Sequence, residues 1–145
     1  MSAEQALRRA QRARGERGQL RGIAVGLVSV PRFERALARF GERLLARVFT
    51  PGERAYAQRK QRGAAHSLAA RFAAKCAGRR ALAALGRRAP RLADLEVVRA
   101  RSGEPSLALR SGPLELELRL SLTHDPEFAL ASLWLEQRDA SGALR

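Results

Sequence analysis

The feature that most constrains the fold is a stretch of alanines over residues 66–85, in which Leu68, Phe72, Cys76 and Leu82 are the bulkier apolar members. Alanine is the strongest helix former and carries no side chain that would hold neighbours apart. A helix of this composition can approach other elements closely, which predicts a long central helix rather than a surface one. Gly86 and Pro90 supply its stop.

The flanking segments supply what that helix must pack against. Residues 23–30 form a short, β-branched apolar run, read as a buried strand. Pro31 then opens a helix at its tolerated first-turn position. Phe33, Leu37, Phe40, Leu44 and Val48 recur at spacings of three and four, giving one apolar stripe. Arg35, Arg39, Arg43 and Arg47 form a second stripe, with Arg32 one turn earlier. Thr50 followed by Glu53 three residues on predicts a capping box at the next helix start. Beyond the alanine-rich helix the pattern turns to strands, over 95–100, 106–110 and 128–136. Leu114, Leu116, Leu118, Leu120 and Leu122 alternate with polar residues, as in a half-buried strand. The order is that of an α+β domain, with a long helix packed on an antiparallel sheet.

At 145 residues the chain is expected to be one domain, over 22–137. An arginine-rich, flexible extension over 1–21 and a short tail over 138–145 complete it. No apolar run is long enough to span a membrane and no signal core opens the chain, so a cytoplasmic address is expected. Cys76 is the only cysteine, which excludes an internal disulfide. The formal charge of +14 points towards an anionic partner. Lys60 and Lys75 are the only lysines among 28 basic residues, leaving 26 arginines, a skew that a GC-rich genome also produces. With one Tyr and one Trp there are few stacking platforms, which argues against nucleic acid.

Several short motifs, in order, resemble the holo-acyl-carrier-protein synthase family of 4′-phosphopantetheinyl transferases. A family strand of the type G-I-G-T-D-I-V-E-I-x-R matches the window from Gly22 to Arg32. An F-T-x-x-E motif is met by Phe49, Thr50 and Glu53, and R-F-A-A-K-E-A by the window from Arg71 to Ala77. A D-I-E-V motif matches from Asp94 to Val97, a G-K-P turn at Gly103 to Pro105, and S-x-S/T-H at Ser121 to His124. The resemblance implies a trimer with active sites between subunits. It also implies transfer of the phosphopantetheine arm of coenzyme A to a serine of an acidic acyl carrier protein, as in fatty acid or polyketide biosynthesis. Arg71, Lys75, Arg80 and His124 then fall at positions that meet the coenzyme A phosphates, and Arg32, extended by Arg35 and Arg39, at the carrier-protein surface.

The resemblance also assigns two magnesium ligands, an Asp and a Glu, to positions occupied here by Gly26 and Cys76. Glycine offers no ligand and a thiolate is too soft for this cation, so no metal site is expected. A family G-T-G-I-G loop is replaced by the sequence over 83–87, whose alanines and leucine favour a longer helix. The resulting expectation is an impaired or inactive relative that keeps coenzyme A or carrier-protein binding, as a homotrimer or a mixed trimer with a paralogue. Two other readings stay open: an active transferase with a metal site rearranged onto Asp125, Asp94 or Glu96, and a basic nucleic-acid-binding or scaffolding protein. Each candidate residue also has a plainer reading. The arginine stripe reads as a solvated face, Arg71 and Lys75 as ion-pair members, His124 as a hydrogen-bonded turn residue, and Cys76 as a buried, inert thiol. Trp134 is read as core or trimer interface.

Overall fold

The fold is given by a computed structural model, which describes residues 19–112 and 114–137. Strand β1 (Gln19–Ser29) runs directly into helix α1 (Val30–Val48). Ser29 caps the junction, its hydroxyl accepting the Arg32 amide at 3.4 Å, and Pro31 sits in the first turn, where no amide is needed. Helix α2 (Pro51–Gln58) starts from the expected capping box: the Glu53 amide donates to Thr50 Oγ1 at 3.2 Å, and the Thr50 amide to Glu53 Oε2 at 3.0 Å. Helix α3 (Ala64–Ala84) is the alanine-rich element. A 3₁₀ turn (Leu92–Asp94) leads to β2 (Leu95–Arg99), β3 (Pro105–Leu109), β4 (Leu116–His124) and β5 (Phe128–Gln137).

Among the described residues the strands form one antiparallel sheet in the order β1-β5-β4-β3-β2. The β2–β3 turn uses Gly103 at φ +87°, a left-handed conformation that glycine adopts without a Cβ penalty. At the β4–β5 turn Asp125 Oδ1 accepts the amides of Glu127 and Phe128, each at 2.7 Å.

Helix α3 lies across the inner face of the sheet. Ala73, Ala74 and Leu82 pack with Leu95, Val97, Leu107, Leu116, Leu118, Leu120, Leu133 and Leu135. On its other side Leu68, Ala69 and Ala70 meet Val30, Phe33, Val48 and Phe49. Each buried leucine in such a core contributes roughly 1.5–3 kcal/mol. At Gly26 helix and strand come close enough to leave no room for a side chain. A Cβ there would stand 2.8 Å from the Ala73 carbonyl carbon and closer still to its oxygen. The alanine surface therefore does what its composition predicts, bringing backbone against backbone.

The structure corrects four expectations. First, β1 begins at Gln19, so residues 19–21 belong to the sheet rather than to an extension; residues 1–18 and the tail at 138–145 lie outside the described residues. Second, β1 is an edge strand whose outer face is open: Ile23 is 62% and Leu27 63% exposed, while Gly26 on the inner face is buried. Third, Phe40 is 49% exposed although it belongs to the expected apolar stripe. Gly41 adopts φ +48° and ψ −128°, which kinks α1, so neither the apolar nor the arginine stripe runs along one straight helix. Fourth, β5 is the interior strand expected from its composition, and of the two readings of Trp134 the core one falls: it lies on the outer face, 38% exposed, beside Ile23 of β1.

Two glycine substitutions separate backbone from side-chain crowding. Gly26→Ala forces a backbone carbonyl to move and should cost about 1–3 kcal/mol in urea unfolding. Gly78→Ala meets the far end of the Leu107 side chain, which can rotate, and gains helix propensity of about 0.5–1 kcal/mol. It should cost clearly less than Gly26→Ala; equal losses would mean that the close approach at Gly26 is not rigid.

Candidate functional site

The expected site residues divide into three environments along α3. At its centre, Lys75 is wholly buried. Its Nζ donates to Glu53 Oε2 at 2.5 Å and to the Val48 carbonyl at 2.6 Å. Glu53 is saturated in turn: Oε1 accepts the Val97 amide at 2.9 Å, while Oε2 also takes the Thr50 amide. Thr50 Oγ1 donates to Glu96 Oε1 at 2.8 Å, extending the network to β2. Burial pushes the Lys75 ammonium down and the Glu53 carboxylate opposes that shift. Lys75, expected to face phosphate, is instead the buried bolt between α3, α2 and β2. Its ammonium has no exposed face to offer a ligand.

Towards the start of α3, Arg71 is 4% exposed. Its Nη1 donates to Ser67 Oγ at 2.6 Å, and its guanidinium lies 4.2 Å from the Tyr56 ring centroid. Its Nε is buried with no hydrogen-bond partner. Lys60 and Arg59 also approach the Tyr56 ring, at 5.2 and 6.0 Å. Burial alone would raise the Tyr56 phenol, but Lys60, Arg71 and Arg99 outweigh it and hold it below its ordinary value. This end of α3 is thus strongly electropositive. His124, exposed at the end of β4, lies beside His66 with ring centroids 5.5 Å apart and the rings tilted by 47°. Tyr56 and His66 were missed by the sequence reading, because Arg71 and His124, which mark them, come from other elements.

Towards the end of α3 lie Cys76 and Arg80. Arg80 Nη2 donates to the Val25 carbonyl of β1 at 2.5 Å, next to Gly26. Cys76 is half-buried and unpaired with any other cysteine. Burial pushes its thiol up, against the pull of Arg80 and Arg79, so it is protonated at neutral pH. The helix continues as expected through Ala84, and Gly86, at φ +75°, turns the chain away. Arg32, Arg35 and Arg39 are all exposed on the first part of α1, before the kink.

Magnesium does not fit the positions that the resemblance assigns to it. A side chain at Gly26 has no room against Ala73, and a protonated thiol is a poor ligand for a hard cation. The substitute ligands are engaged on separate elements: Asp125 with two backbone amides, Asp94 with Arg91, and Glu96 with Thr50. Among the described residues no group of three His, Cys, Asp or Glu could hold a metal ion. No described helix is long and apolar enough to cross a membrane.

Residues 22–133 match the model of the 4′-phosphopantetheinyl transferase superfamily. The chain is 42% identical over 132 residues to a holo-[acyl-carrier-protein] synthase of Methylobacterium sp. (strain 4-46), covering 83% of this chain and 97% of that one. It is 36% identical over 122 residues to the corresponding protein of Solibacter usitatus, covering 79% and 97%. Among solved structures it is similar to a holo-(acyl-carrier-protein) synthase from Bacillus anthracis in complex with CoA (3′,5′-ADP). The TM-score is 0.66 and the identity 30%, with 81% of this chain and 97% of that one covered.

The Lys75–Glu53 pair predicts an asymmetric response. Glu53→Leu strands a buried ammonium and two amides, and should cost at least the 3–5 kcal/mol typical of a broken buried pair. Lys75→Met leaves Glu53 with its two amide donors and should cost less, as read by urea unfolding. Equal stability of both variants and the parent would show that the pair is not buried as described. For Cys76, alkylation by iodoacetamide should be slow at neutral pH and accelerate only above the ordinary thiol range; fast labelling at pH 7 would contradict a raised thiol.

Proposed function

The chain belongs to the 4′-phosphopantetheinyl transferase superfamily, as a holo-acyl-carrier-protein synthase type, and on that premise we propose that it binds coenzyme A and an acyl carrier protein but transfers the phosphopantetheine arm poorly. The reaction of this type joins a carrier serine oxygen to the β-phosphorus of coenzyme A, and the bond to 3′,5′-ADP breaks. Arg71, Arg80 and His124 are the residues of this chain offered to the phosphates. Lys75 leaves that set and takes a structural role. Arg32, Arg35 and Arg39, exposed on one end of α1, suit an acidic carrier protein.

One observation carries the proposed impairment: the inner face of β1 at Gly26 is closed by the Ala73 carbonyl, where a metal-binding carboxylate would need space. A metal stabilises a transferring phosphoryl group by several kcal/mol. Losing about 4 kcal/mol slows a reaction roughly a thousandfold.

The open outer face of the sheet supports assembly with other copies. Ile23 pairs with Trp134 across β1 and β5, and these apolar side chains stand exposed together with Val25, Leu27 and Phe128. We read this face as the contact of a homotrimer, with a mixed trimer containing a paralogue as the variant arrangement.

Two measurements test these readings. Apo-carrier protein, coenzyme A and magnesium are incubated with the protein, and mass spectrometry follows the gain of phosphopantetheine. The rate should be about a thousandfold below that of an active relative run in parallel; a rate within tenfold would contradict the impairment. Light scattering should give three times the 15.9 kDa chain mass, and Leu27→Arg should reduce it to one. A monomeric parent would overturn the trimer.

A further inference from the structure

His66 and His124 are the only histidines of the chain, and the fold sets them side by side. His66 lies in the first turn of α3 and His124 is the last residue of β4, so both stand on regular elements rather than on loops. Their ring centroids are 5.5 Å apart. Two imidazoles that share one tetrahedral ion stand at nearly this separation. With metal–nitrogen bonds of about 2.1 Å and each ring centre roughly 1.1 Å further on, the centroids come to about 5.3 Å. The 47° tilt between the rings is no obstacle, because each ring can turn about its own metal–nitrogen bond. Among the described residues no hydrogen bond engages either imidazole, so neither ring is committed elsewhere.

The neighbouring charge suits a cation as well. The amides of Phe128 and Glu127, with lesser pulls from His124 and His66, hold the Asp125 carboxyl below its ordinary value. A negative charge therefore stands close to both rings. In a chain of formal charge +14 that carboxylate is what makes the spot acceptable to a dication.

We propose that His66 and His124 form a two-imidazole site for a borderline divalent cation such as zinc, with solvent completing the coordination. Among the described residues no third His, Cys, Asp or Glu joins them as a ligand, so the site is open rather than a closed structural centre. Imidazole suits zinc, copper and nickel, whereas magnesium and manganese prefer oxygen ligands. The site is thus separate from the magnesium positions at Gly26 and Cys76, and it does not depend on the coenzyme A reading.

The test is calorimetric titration of zinc chloride into the untagged full chain, and into His66→Ala, His124→Ala and Cys76→Ser. Circular dichroism checks that each variant is folded. With two histidines and one cysteine in the whole chain, these variants cover every imidazole and thiol ligand. The proposal expects one zinc per chain, with Cys76→Ser binding like the parent. Each histidine variant should bind at least about tenfold more weakly, since even the loss of an outer hydrogen-bond partner typically costs ~10–100-fold in metal affinity. In NMR spectra the imidazole nitrogens of both histidines should shift together as zinc is added. No zinc uptake by the parent, a folded histidine variant that binds like the parent, a shift of one imidazole alone, or a loss confined to Cys76→Ser would overturn the inference.

Discussion

The ion pair between Lys75 and Glu53 is the interaction on which the remaining structure depends. Both groups are buried, and an unpaired buried charge costs several kcal/mol. The pair is tolerated because its hydrogen-bonding groups are used: the Val48 carbonyl accepts from the Lys75 ammonium, and the Thr50 and Val97 amides donate to Glu53. Those partners belong to the end of α1, the start of α2 and strand β2. One salt bridge thus fixes the position of α3 against three other elements. The capping box at Thr50 is part of the same network, so the start of α2 and the seating of α3 are set together.

With α3 held in place, its small residues decide what the site can be. Ala73 lies against β1 so closely that position 26 accommodates only glycine. Close packing and metal binding compete for the same space, because a carboxylate and its ion would need helix and strand to stand apart. On the function proposed above, the packing prevails here. The cations that α3 carries are then sorted by depth: Lys75 is consumed by the core, Arg71 is buried against Tyr56, and Arg80 reaches the surface of the edge strand. The net charge of +14 therefore says little by itself; what matters is which few positive groups keep a free face.

Much of the fold was legible in the sequence where local chemistry decides it. The capping box, the proline at the start of α1, the alternating leucines of β4 and the central place of the alanine helix all rest on periodicity or on neighbours three or four residues apart. The failures share a different origin. Lys75 sits in a motif that pointed to phosphate, but its partner Glu53 is 22 positions earlier in the chain, and only the tertiary fold shows that the pair is buried. Phe40 fits a helical stripe that the backbone of Gly41 interrupts. β1 looks like a buried strand because its outer face is apolar, yet among the described residues of a single chain nothing covers it. His66 and Tyr56 became visible only when β4 and α3 brought their neighbours alongside.

The central claim is that packing at Gly26, with a protonated Cys76 beside it, has displaced the metal. Electron paramagnetic resonance of manganese(II), a stand-in for magnesium, tests it without reference to turnover. Manganese is titrated into the protein with coenzyme A, and into coenzyme A alone at the same concentration. The account predicts that the free-ion signal falls equally in both, because the ligand alone takes up the ion. A further loss of signal in proportion to the protein would contradict it and place a metal site in this chain.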